Sequence, residues 1–487
     1  VLPLLPLLLA CGDDAPPPAP AAQRPPDVLL VVLDTVRADA LSAYGNPRPT
    51  SPQLAAVADA GVRFADVTAE GSWTWPSHAT LFTGLPPWEH GAHLAPPAEG
   101  GVQVGPDPFH ARALRADVPT LAERFSAAGY RTVSISGNRL IAPDFGLTRG
   151  FEVAETPGDD PAVVAAATAA LAQADDRPLL LFVNLYGAHA PFDVQPVSWL
   201  RDHPLLQPGA QPPWLAPFLT QERTRLNYFL QPEGADRVGI FSYMRGELDV
   251  PPAGRALLKD VYEGEVSAVD YQLHRLLQAW QSARGGAQIV AVTSDHGELL
   301  GERQAMEHGR FVYPELVQIP LVISAPGRLP AGQVVDTPVQ LSQVAPTLLE
   351  LAGIEDADSL VDVAAGAPGP DPIRAAAWRD HFWAQQVGSR VDQGWRLCRT
   401  GGEAVIYGEQ TGLEYYRLAD DPGMHDDLAA ADPGRAQALR DTGCTYPEAA
   451  PTADVVASPE AMQHLQAMGY VDPEAPAPPP AAEPPAP

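Results

Sequence analysis

Three runs in this chain are almost wholly apolar and then stop on polar residues. Val28-Leu29-Leu30-Val31-Val32-Leu33 ends at Asp34, Leu179 to Leu185 runs into Gly187-Ala188-His189, and Ile289 to Thr293 runs into Ser294-Asp295-His296-Gly297. Unbroken aliphatic and β-branched runs are buried on both faces, as the central strands of a parallel sheet are. Helical patterns fall between them. Ser51 to Ala60 stops at Gly61, Thr120 runs to Gly129, Tyr262 to Trp280 carries Val266, Val269, Leu273, Leu276 and Leu277 along one face, and Val344 to Leu351 precedes Gly353. The alternation predicts a doubly wound α/β fold with a mostly parallel sheet. Ligands of such sheets gather at the carboxyl ends of the strands, where Asp34, His189, Asp295 and His296 are predicted to meet.

The 487 residues allow one large domain and a smaller appendage. The main domain is expected over 28–374. Within it 193–257 breaks the rhythm, with many prolines and Trp199, Trp214, Phe218, Tyr228, Phe229 and Tyr243. This stretch reads as a cap beside the site or as a surface elaboration with its own small core. Strand-like pieces at Trp395-Arg396-Leu397 and Tyr415 to Leu418 predict a small α+β subdomain over 375–472, and the Pro/Ala/Glu tail 473–487 has nothing to bury and is expected to be disordered. A net charge of −29 repels polyanions, which argues against a nucleic-acid partner.

Residues 1–11 end in Leu8-Leu9-Ala10-Cys11, which resembles the apolar region and lipobox of a bacterial lipoprotein signal. The apolar part is too short to span a bilayer. A lipidated Cys11 with a Pro/Ala-rich tether over 12–27 implies attachment to a membrane of the bacterial cell envelope; the bland alternative is a fortuitous apolar terminus. With no basic segment before it, the start of the full protein is expected upstream. Export would place Cys398 and Cys444 in an oxidising compartment, where they can pair.

Thr74 lies in Ser72-Trp73-Thr74-Trp75-Pro76-Ser77-His78-Ala79-Thr80-Leu81-Phe82-Thr83-Gly84. Pro76 suits a first helical turn, so Thr74 is predicted at a helix N-terminus, where the dipole and unpaired N–H groups favour a sulfate or phosphate. A hydroxyl there needs activation, which a divalent cation supplies by coordination. Asp34, Asp295 and His296 form a reasonable ligand set for it. Asp270 and His274 also have the spacing of paired ligands on one helix face, but the apolar pattern around them reads as an ordinary buried helix. Asp39 reads as a structural partner of Arg37, and His90 and His93 as loop residues.

Taken together, these pieces resemble the sulfatase family of the alkaline-phosphatase-like superfamily over roughly residues 27–355. The match includes the Thr74 run, Asp34 to Asp39, His189-Ala190-Pro191-Phe192, Thr293 to Glu298, His308-Gly309 and Ala345 to Leu349, in that family's style and order. The resemblance implies that Asp34 and Asp295 bind metal and that Thr74 is both nucleophile and metal ligand. In sulfatases that position holds a Cys or Ser oxidised to formylglycine; threonine cannot become that aldehyde, so no formylglycine is expected. His296 stands where calcium-type members have Asn, which shifts preference from Ca or Mg toward Mn or Zn. His189 is implied to contact the transferred group and His308 to protonate the leaving oxygen. Ser77, His78 (an Arg in the signature) and Asn138 (an active-site Lys) are implied to bind substrate.

Lys259 is the sole lysine, so the paired sulfate-binding lysines are missing. The set resembles the threonine-nucleophile branches, phosphodiesterases and phosphoglycerol or phosphoethanolamine transferases. Those transferases usually carry several transmembrane helices. A hydrolase of phosphate or phosphonate esters is therefore expected ahead of sulfate esters, on a small-molecule, glycan or lipid-head-group substrate. Transfer onto an envelope lipid or glycan, and a lipid-anchored binding protein without turnover, are the alternatives.

Overall fold

The structure, a computed structural model, describes residues 24–94, 111–143, 146–207, 225–226, 238–285, 287–354, 356–410, 412–444 and 446–447. The apolar leader with Cys11, most of the tether, Trp214, Phe218, Tyr228, Phe229 and the tail 473–487 lie outside them.

Among the described residues the central sheet has nine strands. They are β1 (Asp27–Leu33), β2 (Val62–Thr68), β3 (Arg131–Ser136), β4 (Val153–Glu155), β5 (Leu179–Leu185), β6 (Gln288–Thr293), β7 (Gln318–Ser324), β8 (Gln333–Val335) and β9 (Val339–Gln340). Their order is β8-β2-β7-β6-β1-β5-β3-β4, with β9 also beside β2, and of these strands only β7 runs antiparallel to its neighbours.

The apolar runs behave as their pattern requires. Every residue of β1 is buried; Leu29, Val31 and Leu33 enter one core, and Val28, Leu30 and Val32 the other. Helices α1 (Pro52–Asp59), α3 (Asp160–Leu171) and α4 (Pro252–Ala283) pack into the first core; α2 (Thr74–Thr83) and α5 (Val344–Leu351) pack into the second. The fold is therefore doubly wound, as predicted. In register, Val32 faces Asn184 on β5 and Thr293 on β6, so the carboxyl ends of three parallel neighbours finish level.

Helix α4 starts at Pro252, earlier than the Tyr262 expected, because a proline opens it where no N–H is needed. Its Asp270 carboxylate accepts the N–H groups of Gln53 (2.9 Å) and Leu54 (3.0 Å), and His274 Nδ1 meets Gln53 Oε1 at 2.7 Å. That pair caps α1 from a distance, satisfying donors its own first turn leaves open. Asp39 does pair with Arg37 at 2.8 Å. His90 differs from its loop assignment: it closes a short helix, Pro87–His90, fully buried against the Thr80 hydroxyl at 3.1 Å.

Ile373–Ala377 (β10), Trp395–Thr400 (β11), Glu403–Gly408 (β12) and Leu413–Arg417 (β13) make a separate antiparallel sheet with α6 (Pro433–Gly443) against it. It begins at Ile373, slightly before the boundary drawn from sequence, and Asp27 likewise already belongs to β1. Cys398 and Cys444 form a disulfide joining β11 to the end of α6. Arg399 crosses to Asp66 (2.9 Å) and Thr68 (3.1 Å) on the large sheet. In 193–257, the described Leu200, Leu206, Ile240, Phe241 and Tyr243 join the α4 side of the main core. No helix among the described residues is long and apolar enough to cross a membrane.

Candidate active site

The ends of β1 and β6 bring Asp34 beside Asp295 and His296, whose candidate ligand atoms lie within 4.8 Å of one another. Each of these residues is wholly buried. Local bonds aim them. Asp295 Oδ1 accepts the N–H groups of Thr35 (3.1 Å) and His296 (2.9 Å). His296 Nδ1 donates to Gly297 O at 2.9 Å, leaving Nε2 as the ring's other nitrogen. Asp34 Oδ2 accepts from the amides of Asn138 (2.9 Å) and Asn184 (3.0 Å). What remains is Asp34 Oδ1, Asp295 Oδ2 and His296 Nε2, and none has a hydrogen-bond partner among the described residues. Buried polar atoms without partners are costly, and three facing one another form a ligand set for a cation.

The charges say the same. Burial and the neighbouring Asp295 push Asp34 up to about 8, and burial pushes Asp295 up to about 7. Burial holds the His296 imidazole below its ordinary value, so it stays neutral and able to ligate. Two oxygens and an imidazole nitrogen, too acid-poor without a positive partner, fit a divalent metal. Between the aspartates, Thr35 takes φ +58, a rare conformation for a β-branched residue, held by its N–H to Asp295 and its hydroxyl to Asp34 O at 2.7 Å.

Thr74 opens α2 directly above this group. Asn138 Nδ2 reaches Thr74 Oγ1 at 3.1 Å while also holding Asp34, and the Thr74 hydroxyl lies close enough to Asp295 to favour its charged form. His78, one turn along α2, donates Nδ1–H to Thr74 O at 3.0 Å, and its Nε2 lies 3.4 Å from the Asn184 amide. Burial drives its pKa down to about 3. Both nitrogens face protein groups, and Nδ1 also lies 3.5 Å from Asp295 Oδ2, which places His78 against the same cluster. Asn138 is likewise occupied, and Ser77 Oγ is buried with no hydrogen-bond partner among the described residues.

His189 and His308 line the same end of the sheet. Their rings are 5.1 Å apart, and His308 is 4.5 Å from the His296 ring. His189 Nδ1 meets Ala190 O at 2.7 Å, and His308 Nδ1 lies 3.2 Å from both carboxylate oxygens of Glu298. Burial and Glu307 push the Glu298 pKa well up. Two residues of this group escaped sequence reasoning. Asn184 interrupts an otherwise apolar strand on the α2 side of the sheet, and a lone amide in such a run was the available signal. Glu298 closes the matched run Thr293 to Glu298, but nothing in the sequence assigned it a role.

Known proteins resemble this chain over most of its length. A family model described as Sulfatase matches residues 26–354. The delta 4,5-hexuronate-2-O-sulfatase of Bacteroides thetaiotaomicron is 23% identical over 464 residues, 87% of each chain. Arylsulfatase A of Bos taurus is 36% identical over 115 residues, where the match spans only 20% of that protein's length and 23% of this chain. Among solved structures, the phosphonate monoester hydrolase of Agrobacterium radiobacter superposes with a TM-score of 0.62 at 20% identity, covering 85% of this chain and 94% of that one. A protein solved with its substrate D-glucosamine-2-N,6-O-disulfate gives 0.62 at 18% identity, covering 92% and 99%.

Proposed function

The chain belongs to the sulfatase family, and from that premise we propose a metal-dependent ester hydrolase in which Thr74 is the nucleophile and the substrate is a phosphate or phosphonate ester ahead of a sulfate ester. One observation carries the reading: three buried ligand atoms, none with a hydrogen-bond partner among the described residues and two of them 3.3 Å apart, converge beside the Thr74 hydroxyl. Asp34, Asp295 and His296 would hold the ion, with Thr74 Oγ1 as a further ligand, and the imidazole favours Mn or Zn over Ca or Mg. When bound, such an ion supplies positive charge to a tetrahedral anion and acidity to a hydroxyl.

The residues do the rest. Asn138 fixes Thr74 Oγ1 in place, and the start of α2 favours the anion. Thr74 Oγ1 loses its hydroxyl proton to solvent as it bonds to phosphorus, the bond to the ester oxygen breaks, and a histidine, His308 or His189, gives that oxygen its proton. Water then adds its oxygen to phosphorus as the bond to Thr74 Oγ1 breaks; one of its protons returns to the histidine, and Thr74 Oγ1 regains a proton from solvent. A threonine in place of Cys or Ser, and a sole lysine placed at the surface of α4, 4.0 Å from Asp39, favour phosphorus over sulfur. The phosphonate monoester hydrolases among the structural neighbours support that choice, and the disulfated sugar bound by another neighbour keeps sulfate esters in the comparison. The Cys398–Cys444 disulfide supports the cell-envelope location that a lipidated Cys11 would give.

The test is a panel of aryl sulfates, phosphate monoesters and diesters, and phosphonate monoesters, assayed with each metal beside metal analysis of the protein. Thr74→Ala is expected to abolish turnover while the ion stays bound. Equal rates in wild type and variant would remove Thr74 from its role, and an inert wild type would remove the hydrolase reading.

A further inference from the structure

His308 sits on a device that the ester-hydrolase reading leaves unused. Leu299–Leu300 and Met306–Glu307 form a short antiparallel hairpin with Met306 opposite Leu300 and Glu307 opposite Leu299. One step further along the ladder, Glu298 faces His308. The Glu298 side chain is fully buried, and both its oxygens lie 3.2 Å from His308 Nδ1. The hairpin cannot drift. Arg37, just past Asp34, donates to Glu298 O at 3.1 Å and to Glu302 at 2.7 Å. At the tip, Arg303 takes φ +53 and pairs with Glu315 at 3.2 Å, and Glu307 takes φ +62 immediately before His308. On the far side Gly309 donates to Ser72 O at 2.8 Å and packs on Trp73, the residue before Thr74. The imidazole is thus fixed between the first ligand loop and the Thr74 segment.

We infer that Glu298 is the positioning residue that holds His308 by Nδ1, so that Nε2 is the atom delivering the proton to the leaving oxygen. The inference rests on the hydrolase reading above. One proton lies between Glu298 and Nδ1 throughout and is never transferred. A second, on Nε2, passes to the ester oxygen as its bond to phosphorus or sulfur breaks; the water that later cleaves the Thr74 adduct returns a proton to Nε2. Thr74 Oγ1 loses its proton to solvent on attack and regains one from solvent on hydrolysis, so atoms and charge balance over the cycle and no further reactant is needed. The arrangement parallels a carboxylate orienting a catalytic imidazole through its other nitrogen.

The experiment compares the metal-loaded wild type, Glu298→Ala, Glu298→Gln, His308→Ala and the Glu298→Ala/His308→Ala double variant on a phenyl and a p-nitrophenyl ester of the best acid in the panel. A phenolate leaves with help from a proton; p-nitrophenolate needs little. Glu298→Ala is expected to lose about 10²-fold in kcat on the phenyl ester and less than about ten-fold on the p-nitrophenyl ester, with KM unchanged. Glu298→Gln, which can still bond Nδ1, is expected to recover most of the loss, and the Ala substitution is expected to cost nothing further in the His308→Ala background. Equal losses on both esters, or an undiminished loss without His308, would overturn the inference. If Glu298→Ala does not fold, proton spectra of ¹⁵N-histidine-labelled protein decide. A far-downfield, exchange-protected proton on His308 Nδ1, present in wild type and absent in His308→Ala, supports it, and its absence from wild type overturns it. A wild type inert on every ester that still shows this proton refutes the hydrolase reading alone.

Discussion

Loading the Asp34–Asp295–His296 site with a divalent ion should expel protons, and the structure sets how many. Asp34 lies at about 8 and Asp295 at about 7, so at pH 7 the first is roughly nine-tenths protonated and the second about half. An exposed aspartate, with a pKa of about 3.9, would hold almost none. His296, held below its ordinary value by burial, adds none. Ligation needs both carboxylates charged, so binding at pH 7 releases between one and two protons, more at pH 6 and fewer at pH 8. The two acids share one buried space and titrate as a pair, so the total is the meaningful quantity. Calorimetric titration of Mn or Zn into the metal-free protein, in buffers of different ionisation enthalpy, reads this number as the slope of apparent heat against buffer heat. The logarithm of affinity should climb by between one and two per pH unit from 6 to 7. A slope of zero at pH 7 would mean that the carboxylates are already charged without the ion, and the argument from buried, mutually repelling acids would fall.

Other consequences are as direct. Asn184→Ala leaves Asp34 Oδ2 with Asn138 as its amide donor and should weaken metal affinity by about 10- to 100-fold in the same titration. Asp270→Ala strips the cap from α1 and should cost about 2 kcal/mol in urea melts with metal content unchanged, as expected of a structural carboxylate. Glu265, buried with Gln195 on one oxygen at 2.9 Å, is pushed by burial from 4.5 to about 8. A raised acid gives stability that is whole below pH 4.5 and is lost as pH climbs through 8, up to about 4 to 5 kcal/mol. Glu265→Gln should flatten that slope, and wild-type and variant curves that stay parallel from pH 5 to 9 would contradict it. Replacing Cys398 and Cys444 by serine opens a link across 46 residues and should cost about 3 to 4 kcal/mol of unfolding free energy.

The sheet was legible because its central strands are apolar on both faces, and Asp34, Asp295 and His296 stood out as the polar residues on which those runs stop. Thr74 was legible from the proline and the helix that follow it. What the sequence hid is partnership. Asn138 and Asn184 find Asp34 across 104 and 150 residues, and nothing in an amide's neighbours announces which acid it will hold. His78 stands where the family signature has Arg, and its packing against the rings of Phe82 and Phe182, centroids 5.9 Å from each, is not visible in the motif. The spacing of Asp270 and His274 suggested ligands as readily as it suggested a cap; the choice was made by α1, which is distant in sequence. Glu298 came into view only with the hairpin register.

If the Asp34–Asp295–His296 group holds an ion as proposed, the adjacency of β1 and β6 bears on where that ion is acquired. Thr35 and Asp295, joined at 3.1 Å, are 260 residues apart, so nearly the whole main domain must be assembled before the ligands meet. No early stretch of the chain can capture a cation and carry it along. Contacts of such long sequence separation form late, and the ion is taken from whatever pool surrounds the molecule when the sheet closes. On the metal-dependent reading, the ion held would be set by the place of folding as well as by the ligands, and a chain refolded in one chosen metal should keep the identity it was given.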